Sequence, residues 1–333
     1  MLKRITILVL LALFTFTVAA QAQNKKKKEK KEKVKIEKVE KEEKEEKEIE
    51  KEDEEESRYY EDEDEFSWND WSKHGRFGFR LHGTPFMELS YGLSRPEHKL
   101  FDTKFNDIGL AEIKLGYRDL TEGSRSFITR LNEHYLFASM IKKDLASVNN
   151  KLGNYNAEFL RFGIANTEAI GYNFGDEFAI LPYHTSGLTW TSLRKIEYNG
   201  IRPLLITPDD EYINWVGDSF RFGTVREGGV KFELLNTFSI NAGYEASVIF
   251  PRTLFWYWAG SALIEEAGMG ILDNFIRKVF RSSPSVGPIV NFILKNAYSY
   301  AYHLLKKQDM NWPFDTGAPM TIESVKIGVT FGF

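Results

Sequence analysis

The sequence predicts an all-β membrane barrel of about ten antiparallel strands, within a range of eight to twelve, with a helical insertion before the last strand. Three observations carry this expectation: a leader-like start, long stretches in which every second residue is apolar, and a closing stretch, ESVKIGVTFGF, that alternates to its final residue. A period of two sends successive side chains to opposite faces, so each such stretch is a strand whose two faces meet different surroundings.

Met1 to Ala22 reads as a secretory signal. Lys3 and Arg4 precede the apolar run Ile5 to Ala20, and Ala20-Gln21-Ala22 supplies a small-x-small cleavage site. The mature chain is therefore expected outside the cytoplasm. Cys is absent from all 333 residues, which excludes a lipoprotein anchor, a disulfide framework and thiolate metal sites.

Residues 23–65 are expected to form a charged tether. Asn24 to Glu65 holds 14 Lys and Arg against 20 Asp and Glu, and only Val34, Ile36, Val39 and Ile49 are clearly apolar, too few to build a core. Its Lys and Glu recur at spacings of three and four, the pattern of a solvated helix held by weak ion pairs. The tether is expected in the periplasm, as a spacer or as a contact to the cell wall or a periplasmic partner. The remaining residues 66–333 carry no net charge, so nothing there offers the basic face that nucleic acid requires.

Within residues 66–333 the alternation is clearest in FSINAGYEASVIF, where Phe238, Ile240, Ala242, Tyr244, Ala246, Val248 and Phe250 share one parity. Strands are predicted near 76–93, 107–118, 124–137, 158–165, 168–175, 187–197, 219–225, 230–236, 238–250 and 323–333. The first is expected to bend near Gly83 and Pro85. Asn166-Thr167, Arg226 to Gly229 and Asn236-Thr237 are read as turns between strands. Repeated amphipathic strands, abundant aromatics and the leader together match a transmembrane barrel. One connection fits poorly: residues 198–218, containing PLLITPDDEYINW, would be an unusually long periplasmic turn.

The alternating positions Val325, Ile327, Val329, Phe331 and Phe333 resemble the C-terminal signal strand of bacterial outer-membrane proteins. The resemblance implies a Gram-negative outer-membrane location, contact with outer-membrane lipids, and reading of this strand by the barrel-assembly machinery.

Residues 251–319 break the alternation. Leu254 to Phe280 and Ile289 to Leu305 are predicted as helices; Ile289, Ile293, Ala297 and Ala301 step by four, and Pro284 and Pro288 punctuate the gap. The apolar run from Leu254 to Ile264 is too short to span a bilayer. The pair is expected at the extracellular end or in the lumen, closing a barrel already narrow at about ten strands. The expected role is non-enzymatic: structural, adhesive or a narrow channel, with a hydrophobic-solute channel as an alternative. FWYW, Phe255 to Trp258, is expected to pack or to form an interfacial belt.

Signals for chemistry are sparse. No cofactor is expected, and neither the six His nor Asp209, Asp210 and Glu211 show metal-site spacing. One alternative is enzymatic. His184 and Ser186 are two apart on a strand, so both point to the face shared with Leu188 and Trp190, where a His could activate a Ser against an acyl ester. The stretch resembles the His-x-Ser motif of outer-membrane phospholipases and lipid A deacylases, although Gly187 follows where those enzymes commonly carry Asn after the Ser. Glu168, Asn173 and Asp176 are the candidates by position for the group that would orient His184.

Overall fold

A computed structural model describes residues 83–122, 127–147, 151–175, 178–200, 219–234 and 237–333. The expected leader and tether, residues 76–82, Asp176 and PLLITPDDEYINW with its three acidic residues lie outside the described residues.

Eight strands form one closed antiparallel barrel in sequence order. They are β1 (Thr84–His98), β2 (Ile108–Glu122), β3 (Ile128–Ser147), β4 (Tyr155–Asn173), β5 (Phe178–Tyr198), β6 (Phe220–Leu234), β7 (Phe238–Ile249) and β8 (Met320–Gly332). Helices α1 (Phe255–Ser282) and α2 (Gly287–Lys306) come between β7 and β8. The barrel closes where β8 pairs with β1, Leu89 facing Val329 and Leu93 facing Val325.

The strand count corrects the expected ten, and the reason is physical. The two predicted strands 158–165 and 168–175 are one, β4, and 219–225 and 230–236 are one, β6. Parity never changes across either supposed turn: Leu160, Phe162 and Ile164 share a face with Ile170 and Tyr172, as Phe220 and Phe222 do with Val230 and Phe232. A chain reversal has no reason to preserve that register, whereas a continuous strand must. Thr167 lies in mid-strand, its hydroxyl 2.6 Å from that of Thr185. With eight strands, the connection from β5 to β6 falls at the same end as the other long connections, and the misfit at residues 198–218 disappears.

Around the bend expected in the first strand, Gly83 adopts φ 120°, a conformation that favours glycine, and Pro85 lies within β1 opposite Tyr117; the part of the expected strand before Gly83 lies outside the described residues.

The helices match their predicted spans to within two residues, but not their predicted place. They lie outside the barrel, α2 running across the outer wall against β4, β5, β6 and β7. The lumen is closed by its own side chains. Near the long-loop end Phe105, Ile108, Leu110, Phe159, Leu193 and Ile322 pack together, and near the other end Leu131, Ala169, Leu181 and Tyr183 do so. An eight-stranded barrel has an interior just wide enough for side chains to fill.

Candidate functional site

Two buried polar regions emerge from the alternation, one inside the barrel and one on its outer wall. The inner one lies between the two apolar layers. Lys326 on β8 reaches Glu112 at 2.7 Å, Glu245 at 2.7 Å and Glu227 at 2.9 Å. Lys114 reaches Glu88 at 2.8 Å, and Arg161 reaches Glu112 at 2.9 Å and also pairs with Glu245. Lys231 bridges Glu133 and Glu88, and Arg118 pairs with Glu233. Tyr183 donates to Glu227 at 2.6 Å, and Ser90 and Thr330 donate to Glu88 at 3.0 and 2.8 Å.

Glu112, Glu227 and Glu245 bring carboxylate oxygens within 4.8 Å of one another, close enough to hold a cation. The Lys326 ammonium already occupies that position, so this carboxylate cluster is a neutralised layer and not a vacant metal site. Breaking such a buried pair leaves an uncompensated charge, so a single removal here is expected to be destabilising.

The outer region is unexpected for a barrel wall. Asn166, Glu168, His184, Ser186, Arg226 and Glu323 share the outward face of their strands with Leu188, Trp190 and Val325. Helix α2 covers this seam with its own polar side. Lys295 reaches Glu168 and Asp273 at 3.0 Å each, and Lys306 reaches Glu265 of α1 at 2.6 Å. Glu265 also accepts from Arg226 at 2.7 and 3.0 Å, so one carboxylate ties both helices to β6. His303 stands 3.4 Å from Glu323. Beyond the end of α2, burial lowers the Lys307 ammonium, but its bonds to Glu323 and Glu97 more than offset this and hold it above its ordinary range.

His184 is nearly enclosed, and its predicted partnership is not formed. Nδ1 lies 3.1 Å from Asn296 Oδ1, while Nε2 has no hydrogen-bond partner, Ser186 included. Asn296 spends its amide N–H groups on the carbonyls of Tyr183 and Phe292, at 3.2 and 2.9 Å. Its oxygen can therefore only accept, which places the imidazole proton on Nδ1 and leaves Nε2 a bare acceptor.

Among the residues expected by position to orient His184, Glu168 is its register partner but directs a carboxylate oxygen to Lys295. Asn173 sits at the far end of β4, where its backbone N–H donates to the Phe127 carbonyl oxygen. Asn296, more than a hundred residues later in the chain, does the orienting. The close approach depends on Gly228, where a Cβ would stand 2.2 Å from Asn296 Oδ1. A cavity of about 160 Å³ opens beside it, lined by Arg226, Tyr244, Ala246, Phe292, Ser299 and Tyr300 among others.

The C-terminal positions fall as their parity requires. Val325, Ile327, Val329 and Phe331 occupy the outward face of β8, with Val325 and Ile327 60% and 61% exposed, and Phe333 follows the strand. Of FWYW, Phe255, Trp256 and Tyr257 are exposed, and Trp258 packs edge-on to Phe222 at 5.4 Å.

The fold and these two regions define a class: a closed eight-stranded antiparallel barrel with a filled polar lumen and a largely apolar outer wall. Three solved structures of outer-surface or outer-membrane proteins are similar to the chain. Neisserial surface protein A aligns at 8% identity over 75% of this chain and 97% of its own, with a TM-score of 0.35. Ail, the attachment invasion locus protein of Yersinia pestis, aligns at 8% over 76% and 100%, with a TM-score of 0.28. The outer membrane protein OprG from Pseudomonas aeruginosa aligns at 10% over 77% and 99%, with a TM-score of 0.23. Likeness at this level carries no argument about role. No protein-family model and no curated protein matches the sequence.

Proposed function

We propose that this chain is a non-conducting structural barrel of the bacterial outer membrane. The observation that carries the closed state is the lumenal layer centred on Lys326, whose ammonium lies within 2.9 Å of three glutamates while apolar layers fill the space on both sides. The location draws on the leader, the alternating final strand and the bare outer wall of β1 to β3. On that wall Leu89, Leu93, Ile113, Leu115, Leu136 and Met140 are exposed. On β3 the outward apolar run Leu136, Ala138 and Met140 is bounded by His134 and Lys142, and that eight-residue interval spans about 26 Å of strand, or about 20 Å of height at a tilt of roughly 40°. The tether would lie in the periplasm and Val325 to Phe333 would serve as the assembly signal.

Planar-bilayer recording of the intact protein tests the closed state. No stable channels are expected; stable channels from the intact protein would overturn it and favour a solute pathway.

One observation favours a second reading. The His184–Asn296 contact supplies the orienting amide that an acyl hydrolase built on His184 and Ser186 needs, with Nε2 deprotonated as a general base must be. Ester hydrolysis in phospholipid or lipid A micelles, measured for the wild type and for Ser186→Ala, separates the readings. The structural role predicts no difference, and a rate lost in the variant would install the enzymatic one.

A further inference from the structure

Helix α2 is built inside out for a helix facing water. Its exposed positions are Ile289, Ile293, Ala297, Tyr300, Ala301 and Leu304, while Asn291, Lys295, Ser299, His303 and Lys306 are buried. A helix on the surface of a water-soluble domain presents the reverse arrangement. Helix α1 continues the exposed apolar surface with Leu263, Ile264, Ala267, Ile271 and Phe275.

The path of α2 matches the height of the barrel. Before its start, Ser285 accepts a hydrogen bond from Tyr172, next to the last residue of β4 at the short-turn end. After its end, Lys307 reaches Glu97, next to the last residue of β1 at the long-loop end. Twenty helical residues measure about 30 Å, the thickness of the hydrocarbon core.

The two ends of α1 differ in chemistry. Phe255, Trp256 and Tyr257 are exposed at its start, and Arg277, Lys278 and Arg281 at its close. Aromatic rings and basic side chains are what bilayer interfaces accommodate, and Trp256 to Lys278 spans about 33 Å of helix.

From these observations we infer that the helical pair lies within the bilayer, flat against the barrel, with its exposed apolar face solvated by phospholipid acyl chains. The inference rests on the outer-membrane reading above and extends the lipid-facing surface of the wall across the hairpin. It also explains why, among the described residues, no helix is long and apolar enough to cross a membrane. Half of α2 is committed to the charged seam, so its mean hydropathy reports the barrel it touches as much as the lipid. Without the hairpin, Arg226, Glu168 and His184 would meet acyl chains directly, and an arginine on a lipid-facing wall costs about 2–4 kcal/mol at the midplane.

The absence of native Cys makes the test direct. Spin labels are attached to single cysteines at Ile293 on α2, Leu263 on α1 and Leu136 on the bare wall, in the full mature protein reconstituted into phospholipid vesicles. Oxygen, which partitions into lipid, and a water-soluble nickel chelate are the collision probes. The expected result is an oxygen-to-nickel accessibility ratio at Ile293 and Leu263 matching that at Leu136. High nickel accessibility at the helices with a lipid signature at Leu136 would overturn the embedded hairpin and leave the barrel reading standing. Protection of the helices from both probes would mean that a protein covers the face, a second copy included, and would also overturn it. Nickel accessibility at Leu136 itself would overturn both readings.

Discussion

The outer walls of β1 to β3 and of β4 to β6 belong to one continuous sheet, yet they meet their surroundings in opposite ways. The first presents Leu89, Ile113, Leu136 and Met140 and, among the described residues, has no cover. The second presents Glu168, His184, Ser186 and Arg226 and is covered by α2. On the outer-membrane reading proposed above, both obey the rule that polar groups removed from water must find partners. The bare sector has few polar side chains to satisfy, and the covered one imports Glu265, Lys295, Asn296 and Lys306 from the hairpin to satisfy them. A charged residue on an outward strand face is thus no argument against a barrel wall. Here the outward Glu168, His184 and Arg226 are met by a second element, the helical hairpin.

The comparison is most easily broken at Glu265. In Glu265→Ala, Arg226 and Lys306 lose the carboxylate they share, and the hairpin is expected to lose about 3–5 kcal/mol of docking stability, as for other buried pairs deprived of one partner. In urea titrations with limited proteolysis, cleavage within residues 255–306 should appear well before the barrel opens. Simultaneous loss of both would show that seam and barrel form one cooperative unit.

A smaller effect sharpens the other side. Leu136→Arg places on the bare sector the kind of charge that Arg226 brings to the covered one, without a carboxylate to meet it. A loss of about 2–4 kcal/mol is expected for an arginine at lipid depth, read as a lowered unfolding midpoint of the barrel in vesicles. An unchanged midpoint would mean that this sector does not face lipid.

Much of the barrel was legible because a strand's environment is written at every second residue. The parity of Val325, Ile327, Val329 and Phe331 placed them on one face, and the structure puts that face outward. The extra strands came from treating local composition as a turn. Asn166-Thr167 and Arg226 to Gly229 look like breaks, but they are polar because they face the seam or the lumen. The unbroken parity on either side held the correction.

The seam was half legible. The apolar steps of α2 were read, while the complementary steps Asn291, Lys295, Ser299, His303 and Lys306, spaced by three or four, were an equally regular signal that one face of the helix was reserved for polar contact. His184 and Ser186 were correctly given a shared face, but no sequence spacing relates either to Asn296.

By itself the sequence determined where strand and helix periodicity occur and which side chains share a face, because those follow from local backbone geometry, but not where each strand ends or how many strands there are. Only the tertiary structure decided that the helices lie along the outer wall, that Lys326 and not a metal neutralises three glutamates, and that Asn296 orients His184. Each of these is a meeting of residues distant in sequence, selected by where the closed barrel leaves buried charge to be matched.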